Sequence, residues 1–498
     1  MTVASARPWS LRMAPVALAA VVASAAVGLA RPAQASGLLV ARFGGEWGHP
    51  MSDDLWAIYY NPAGLSLLTG TKLAITGSFA LRSLSYTRGE GAIDDILEDP
   101  SVGAGTPVGD GVLANTGEAK LSNFLATPFL AIGSNFGLEG FGAALGFYVP
   151  IGGQSIWDRG TPREGFPGAE DGPQRWWVIE GSARALYATA AAGYRIEPLR
   201  LSVGLGLNVV FTAIDNLQAR NVDGTDTLTI NGNLQEGRAH TQVSSVDLAM
   251  SAGLLWEPVD NLFIGLSYQS QPNFGEQRLT GTVDMILGGG PVPEDPTIQA
   301  ELRQELPDVI RFGVRYGKPK CWEARAFMDW ARWSVLEEQC ILNRETGDRT
   351  CAGAAPPGKI IIIPRNWKDA WGVRAGGSWW PTQAIELVLG GGYDGTSVPD
   401  EMVEPAFYDS EKASLTVGAK FNLADDHLQL MVTFAQIFYF DRDVSPRGRV
   451  PRDPNVPDGP TYSDIESIGL REAVRLPDSS GLYQQSISVL ELGVSYAF

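Results

Sequence analysis

The chain has 498 residues, 58 of them glycine, with 19% charged residues, a formal charge of −18 and a pI near 4.7. That length suits two or three soluble domains or one large all-β barrel, and the charged fraction lies below the ~25% of ordinary domains, which sets aside a disordered or coiled-coil chain. A nucleic-acid partner is excluded, because displacing counterions from phosphates needs a basic stripe and no Lys/Arg cluster supplies one. Residues 1–35 read as a secretory signal peptide: Arg7 and Arg12 precede the apolar run Ala14–Ala30, and Ala33-Gln34-Ala35 is a small-x-small cleavage site. An uncleaved anchor is the rival reading, but the run is short of the ~20 residues a spanning helix needs. Cleavage leaves a chain beginning at Ser36 and, without Arg7, Arg12 and Arg31, three charges more negative.

Residues 36–70 are not strand-like. They carry Gly, Pro and short helical patches, notably Met51–Tyr60. Strict alternation follows. In 201–211 the odd positions are Leu201, Val203, Leu205, Leu207, Val209 and Phe211, set against Ser202, Gly204, Gly206, Asn208 and Val210. The same rhythm fills 246–256, 310–316 and 413–423, and eleven residues are enough to cross a bilayer as a tilted strand of ~9–11 residues. Short turns (138–140, 197–199, 257–261, 318–320, 381–383, 424–427) alternate with long polar stretches (89–120, 151–174, 218–238, 285–305, 337–365, 396–411, 443–484). Short turns on one side and long loops on the other are the pattern of an outer-membrane barrel. The runs predict fourteen antiparallel strands: 71–88, 121–136, 140–150, 175–196, 200–217, 239–256, 261–284, 306–317, 321–336, 366–380, 384–396, 412–423, 428–442 and 485–498. An even number puts both chain ends on the periplasmic side. In the last strand Leu490, Leu492, Val494, Tyr496 and Phe498 share one face, and the aromatic ending Tyr496/Phe498 looks like the signal by which barrel-assembly machinery handles bacterial outer-membrane proteins. The expected place is therefore the bacterial outer membrane, among its lipid and lipopolysaccharide. A fourteen-strand lumen is too wide for its own side chains to fill, so water or a plug occupies it, and residues 36–70 are the natural plug.

The string Ala57-Ile58-Tyr59-Tyr60-Asn61-Pro62-Ala63-Gly64-Leu65 resembles the hatch motif of the FadL/TodX family of outer-membrane transporters of hydrophobic compounds. Downstream, Leu306-Pro307-Asp308-Val309-Ile310-Arg311-Phe312-Gly313, Phe327–Ser334 and Gly391-Gly392-Tyr393-Asp394 through Pro399-Asp400 look like further family segments. The resemblance implies a fourteen-strand barrel plugged by an N-terminal hatch, passively importing long-chain fatty acids or hydrocarbons. It implies gating at Asn61, Pro62, Ala63 and Gly64. It also implies a lateral opening at the third strand, where Pro150, Gly152 and Gly153 stand and where Pro and Gly break a ladder; Pro150 simply ending the strand is the plainer reading. For Asn61-Pro62-Ala63 the plainer reading is a rigid turn that seats the plug. Two departures bear on the substrate: 42–50 is bulkier and more polar than the family's segment, and loop 443–484 is long with six prolines. The alternative function is a nonspecific porin or a structural, adhesive barrel working through its acidic loops.

Other chemistry is thin. Gly140–Gly146 has the wrong spacing for a dinucleotide loop and no helix follows. None of His49, His240 and His427 has a Ser or carboxylate at readable spacing, so no catalytic residue, cofactor or enzyme activity is assigned. The pairs Asp94-Asp95, Glu294-Asp295 and Asp425-Asp426 read as solvated surface rather than a metal site. Cys340 and Cys351 share one exported loop and are the candidate disulfide, leaving Cys321, at the other end of its strand, unpaired. Trp176-Trp177, Trp379-Trp380, Tyr316 and Trp322 are expected as interface girdles.

Overall fold

A computed structural model describes residues 42–93, 110–221, 226, 228–230, 233–287, 295–346, 351, 359–444 and 477–498. The signal peptide, Asp94-Asp95, Glu294 and most of loop 443–484 lie outside the described residues. Fourteen antiparallel strands form one closed barrel. They are β1 (Thr71–Arg88), β2 (Gly117–Ser134), β3 (Phe141–Ile156), β4 (Glu180–Ile196), β5 (Leu201–Arg220), β6 (Gly237–Val259), β7 (Leu262–Gln269 and Gln277–Ile286), β8 (Thr297–Gln304 and Val309–Lys318), β9 (Trp322–Ala331 and Glu338–Asn343), β10 (Lys359–Pro364 and Ala370–Thr382), β11 (Ile385–Asp394), β12 (Lys412–Leu423), β13 (Leu428–Tyr439 and Arg442–Val444) and β14 (Gly481–Ala497). Each pairs with its neighbours in chain order, and β14 closes on β1 from Lys72↔Ala497 to Thr87↔Leu482. Among the described residues no helix is long and apolar enough to cross a membrane; the strands cross it.

Alternation becomes two surfaces. In β5, Ser202, Asn208 and Thr212 are buried toward the lumen while Leu205, Leu207 and Phe211 stand exposed. A pleated strand sends successive side chains to opposite faces, so the exposed apolar set forms the lipid-facing band. Trp256, Tyr316, Trp322, Trp379 and Phe498 are exposed at the short-turn end of that band, where amphipathic rings sit at headgroup level. Trp176 and Trp177 do not join them. They lie in and beside a short 3-10 turn (Pro173–Trp176) ahead of β4, folded inward and almost completely buried. Two adjacent tryptophans cannot share one face of a strand, and here the backbone turns so that both enter the interior.

Several strands depart from the expected limits. β3 stays paired with β4 past Pro150 as far as Ile156, so Pro150 does not end it. β4 starts only at Glu180, and β13 is interrupted between Tyr439 and Arg442. β7, β8, β9 and β10 each break in the middle, at 270–276, 305–308, 332–337 and 365–369. Their outer segments continue as a rim of sheet, β7 to β8 to β9 to β10, with register pairs such as Leu302↔Ile341 and Cys340↔Ile362. The stretches 285–305 and 337–365, expected as loops, therefore hold strand. Their apolar content, including Ile360, Ile361 and Ile363, lines the inside of the rim, while Ile362 packs into the cluster around Cys340 and Leu342. A disulfide joins Cys340 to Cys351 at this rim with Cα atoms 6.0 Å apart, and Cys321 is a free, exposed thiol at the opposite end.

Residues 42–68 lie inside the barrel as a compact hatch containing a 3-10 turn (Gly45–Trp47), the helical turn α1 (Ala57–Tyr60) and a second 3-10 run (Pro62–Leu67). Phe43, Leu55, Trp56, Ala57 and Ile58 are buried against the wall. The wall yields to them through glycine. A Cβ on Gly204 would come within 2.2 Å of the Ala63 amide nitrogen, and one on Gly142 within 2.0 Å of the Leu65 carbonyl oxygen. Close backbone approach of this kind requires glycine, which gives the chain's glycine excess a structural role.

Candidate functional site

Three things meet in the lumen: the hatch, a gap in the wall, and the cavities between them. The hatch is held by polar contacts from several strands. Glu491 of β14 accepts hydrogen bonds from the Gly44 and Gly45 amides at 2.7 and 3.1 Å, and Trp47 Nε1 donates to Glu386 of β11 at 2.7 Å. Asn61 does three jobs. Its Nδ2 donates to the Pro50 carbonyl at 2.8 Å and to the Leu254 carbonyl of β6 at 2.9 Å, while its Oδ1 accepts from the Ala63 amide at 3.1 Å. The last of these caps the second 3-10 run, and Pro62 at its first position has no amide to leave unsatisfied. Gly64 packs so tightly that a Cβ would meet the Ser52 carbonyl. Arg315 of β8 pairs with Asp53 at 2.8 Å, and the Ser66 hydroxyl donates to Ser202 at 2.7 Å. His49 is buried. Burial, reinforced by Arg325, Arg315 and Lys420, holds its imidazole well below the ordinary value, against a weaker opposing pull from Asp53.

The gap lies between β2 and β3. These strands pair only from Phe129↔Tyr148 to Ser134↔Ala143. Beyond Tyr148 β3 follows β4 alone, with its register shifted between Tyr148 and Ile151, while β2 continues along β1 alone. Proline stands where the strands diverge on both sides, Pro128 and Pro150, and neither can donate to a ladder. The gap is bridged by side chains at Gln154, whose carbonyl accepts from Asn123 Nδ2 at 2.8 Å and Arg82 Nη1 at 3.1 Å. It closes above at the Asp158 amide, which donates to the Lys120 carbonyl at 2.8 Å. Gly152 and Gly153 lie in the stretch of β3 that does not pair with β2.

Within the wall, an outer vestibule of ≈ 1530 Å³, counted to its open mouth, is lined mainly by apolar groups, among them Val283, Leu302, Ile361, Trp177, Trp333 and Trp367. A second cavity of ≈ 1010 Å³ lies behind the gap, bounded by Leu125, Val149, Pro150, Phe43 and Glu491. Gly152 lines both. A third and more polar cavity of ≈ 680 Å³ faces Tyr59, Arg311, Asp329 and Arg374. Hatch and gap also touch directly: Phe43 packs on Phe129 and Tyr148 with ring centroids 5.4 and 5.5 Å apart, and Tyr59 meets Tyr148 edge-on at 5.3 Å. Tyr148 is thus both the last residue of β3 paired with β2 and a wall of the hatch's seat.

The residues singled out in the sequence fall into four places, the Cys340–Cys351 disulfide at the rim being one. Asn61, Pro62, Ala63 and Gly64 are in the hatch; Pro150, Gly152 and Gly153 are at the gap; Tyr496 and Phe498 are at the periplasmic end of β14, their rings 5.0 Å apart. Sequence reasoning missed Pro128, Arg82, Asn123 and Glu491. Pro128, inside a run that otherwise reads as a strand, was the available signal; the other three show their roles only through contacts with distant segments. The histidines are dispersed: His49 is in the hatch, His240 Nε2 lies 2.7 Å from Asp215, and His427 Nδ1 is 2.8 Å from the Ala497 carbonyl. Among the described residues no group of His, Cys, Asp and Glu could hold a metal ion.

A closed fourteen-strand barrel with its lumen plugged from the N-terminus, an apolar vestibule and a gap in its wall defines a membrane transport barrel. The family described as outer membrane protein transport protein (OMPP1/FadL/TodX) matches residues 16–450, and the chain belongs to it. It is an outer-membrane transport protein for hydrophobic compounds and not an enzyme. No curated protein sequence matches the chain. Among solved structures, a FadL homologue of Pseudomonas aeruginosa is similar with a TM-score of 0.70 at 15% identity, over 93% of this chain and 100% of that one. The toluene transporters TbuX of Ralstonia pickettii and TodX of P. putida are similar with TM-scores of 0.58 at 13% and 16% identity, over 94% and 93% of this chain and 99% of each of theirs. At such identities the likeness is one of fold.

Proposed function

We propose that this barrel passively imports hydrophobic molecules, long-chain fatty acids or hydrocarbons, by taking them into the outer vestibule and releasing them sideways through the gap between β2 and β3, with the hatch as gate. The observation that carries this reading is the route itself: an apolar cavity open outward, sharing Gly152 with a cavity behind an unpaired wall, above a lumen filled by residues 42–68. A greasy chain gains ~0.8 kcal/mol for each CH₂ removed from water, so an apolar vestibule captures it without an energy source. Lateral release then delivers it to acyl chains rather than to the aqueous periplasm. Tyr148 supports a gating role for Asn61, Pro62, Ala63 and Gly64, because a hatch that shifts must also repack the residue at which β2 and β3 diverge.

The test is uptake by cells lacking their own such channels. Labelled oleate, labelled toluene and a small sugar are compared with and without the protein. Import of oleate or toluene without sugar flux is the expected result, and the ratio of the two assigns the ligand class. Sugar flux without either would make the chain a general porin and end this reading.

A further inference from the structure

Eight arginines are buried among the described residues: Arg82, Arg88, Arg175, Arg311, Arg315, Arg325, Arg365 and Arg374. Seven have a carboxylate within 4 Å, for example Arg175 with Glu236 at 3.0 Å and Arg374 with Asp394 at 2.6 Å. Arg82 is the exception: it has no ion pair with any described residue, although it is 3% exposed. Its Nε donates to Gln485 Oε1 of β14 at 2.9 Å, and its Nη1 to the Gln154 carbonyl at 3.1 Å. Both partners are neutral. A guanidinium removed from water without a counter-charge is costly, and proteins ordinarily avoid it by pairing. The position is as informative as the missing partner. Arg82 lines the apolar vestibule, stands across the register from Asn123 of β2, and reaches over the gap to the segment of β3 that has left β2.

We infer that Arg82 is a charge-sensing latch: it receives the carboxylate of a hydrophobic acid whose chain lies in the vestibule, and in doing so releases Gln154 and loosens the wall gap. The inference rests on the import reading above and adds to it a ligand charge and a residue. A carboxylate matches the planar fork of the two terminal guanidinium nitrogens, and the charged bond displaces a neutral one. When Nη1 turns to the ligand, the Gln154 carbonyl keeps only Asn123 as a side-chain brace. Entry of the correct head group and loosening of the exit become one event. A neutral hydrocarbon of equal length fills the same vestibule but offers nothing to exchange for Gln154, so it leaves the latch shut. In these terms the barrel prefers acids to alcohols or hydrocarbons of the same chain length.

The experiment uses the full mature barrel in lipid nanodiscs, carrying Cys321→Ser and spin labels at Phe124→Cys and Ile156→Cys, two outward-facing positions on the opposite sides of the gap. The inter-label distance is read against added decanoate and decan-1-ol at pH 8. Decanoate is expected to widen the distribution at a concentration about tenfold below that of any effect of decanol, the size of one charge-assisted pair. Arg82→Gln should be wide without ligand and lose the preference; Arg82→Lys should keep a reduced preference. Asn123→Ala serves if Arg82→Gln lacks a cooperative melt: it removes the other brace, so it should widen the gap and retain the preference for the acid. Equal responses to acid and alcohol in the unsubstituted protein would overturn the latch, as would a narrow, decanoate-responsive Arg82→Gln. An unresponsive gap in a barrel that still imports decanoate into cells would overturn it while leaving the import reading intact. Failure to import decanoate, decan-1-ol, oleate and toluene alike would remove both.

Discussion

Two seams of this barrel differ more than any other pair. β5 and β6 are joined over twenty consecutive register pairs, from Leu201↔Trp256 to Arg220↔Gly237, whereas β2 and β3 are joined over six. Both pairs of strands cross the same membrane, carry the same alternation and face the same lumen. The long seam has no proline among its paired residues; the short one ends beside Pro128 and Pro150. At about 1 kcal/mol net per backbone hydrogen bond, a few lost ladder bonds suffice to separate strands that would otherwise zip, provided side chains satisfy what is left. Asn123 and Arg82 do so. The aperture is written locally, in two imino acids and two polar side chains, and not in the width of the barrel.

The largest effect is expected from making the short seam resemble the long one. Pro128→Val with Pro150→Val restores two amides; the seam should extend toward Gln154, thermal stability should rise, and uptake should drop to that of cells without the protein. Undiminished uptake with a longer protected seam in hydrogen exchange would dissociate transport from the gap.

A smaller effect is expected from the hatch. Asn61→Ala strands the Pro50 and Leu254 carbonyls and the Ala63 amide, and unsatisfied buried groups cost roughly 1–3 kcal/mol. Hydrogen exchange of residues 42–68 should accelerate while the amides of β5 and β6 stay protected. Equal loss in both regions would mean that Asn61 supports the whole barrel, not the hatch.

The smallest effect concerns pH. His49 is held neutral when the hatch is seated, so its folded value lies below that of the released segment. A depressed histidine contributes stability that is present above about pH 6.5 and is lost as the pH falls below it, because only the released hatch takes the proton. Hatch protection should weaken by about 1 kcal/mol between pH 6.5 and 5.5, with a slope that approaches ~1.4 kcal/mol per pH unit below that, and His49→Gln should flatten the dependence.

Much of the barrel was legible in the sequence because lipid and lumen impose a period of two on every crossing. β1 and β12 have the limits that alternation predicts, 71–88 and 412–423. Legibility failed where that constraint lapses. The outer halves of β7 to β10 rise beyond the lipid, so Ile360, Ile361, Ile362 and Ile363 face a cavity and a neighbouring strand, not a bilayer, and their run does not alternate. Trp176 and Trp177 lie in the interior and not in the girdle for a related reason: a tryptophan near a strand end can serve the membrane interface or an interior, and composition does not distinguish them. Of the site, the local motif around Asn61 could be read directly. The contacts that give Arg82 its role join residues 72 and 403 positions apart, and no single-chain pattern encodes such pairs.

Glu491, seven residues before the C-terminal Phe498, accepts the hydrogen bonds of Gly44 and Gly45 at the head of the hatch. In the order of synthesis those two amides are made early and satisfied last. The hatch is therefore not a finished piece around which a cylinder is wrapped; its seating is completed by the same strand that seals the cylinder. Every chain that stops short of residue 491 lacks both the seal and this anchor, so a single event reports that the molecule is whole.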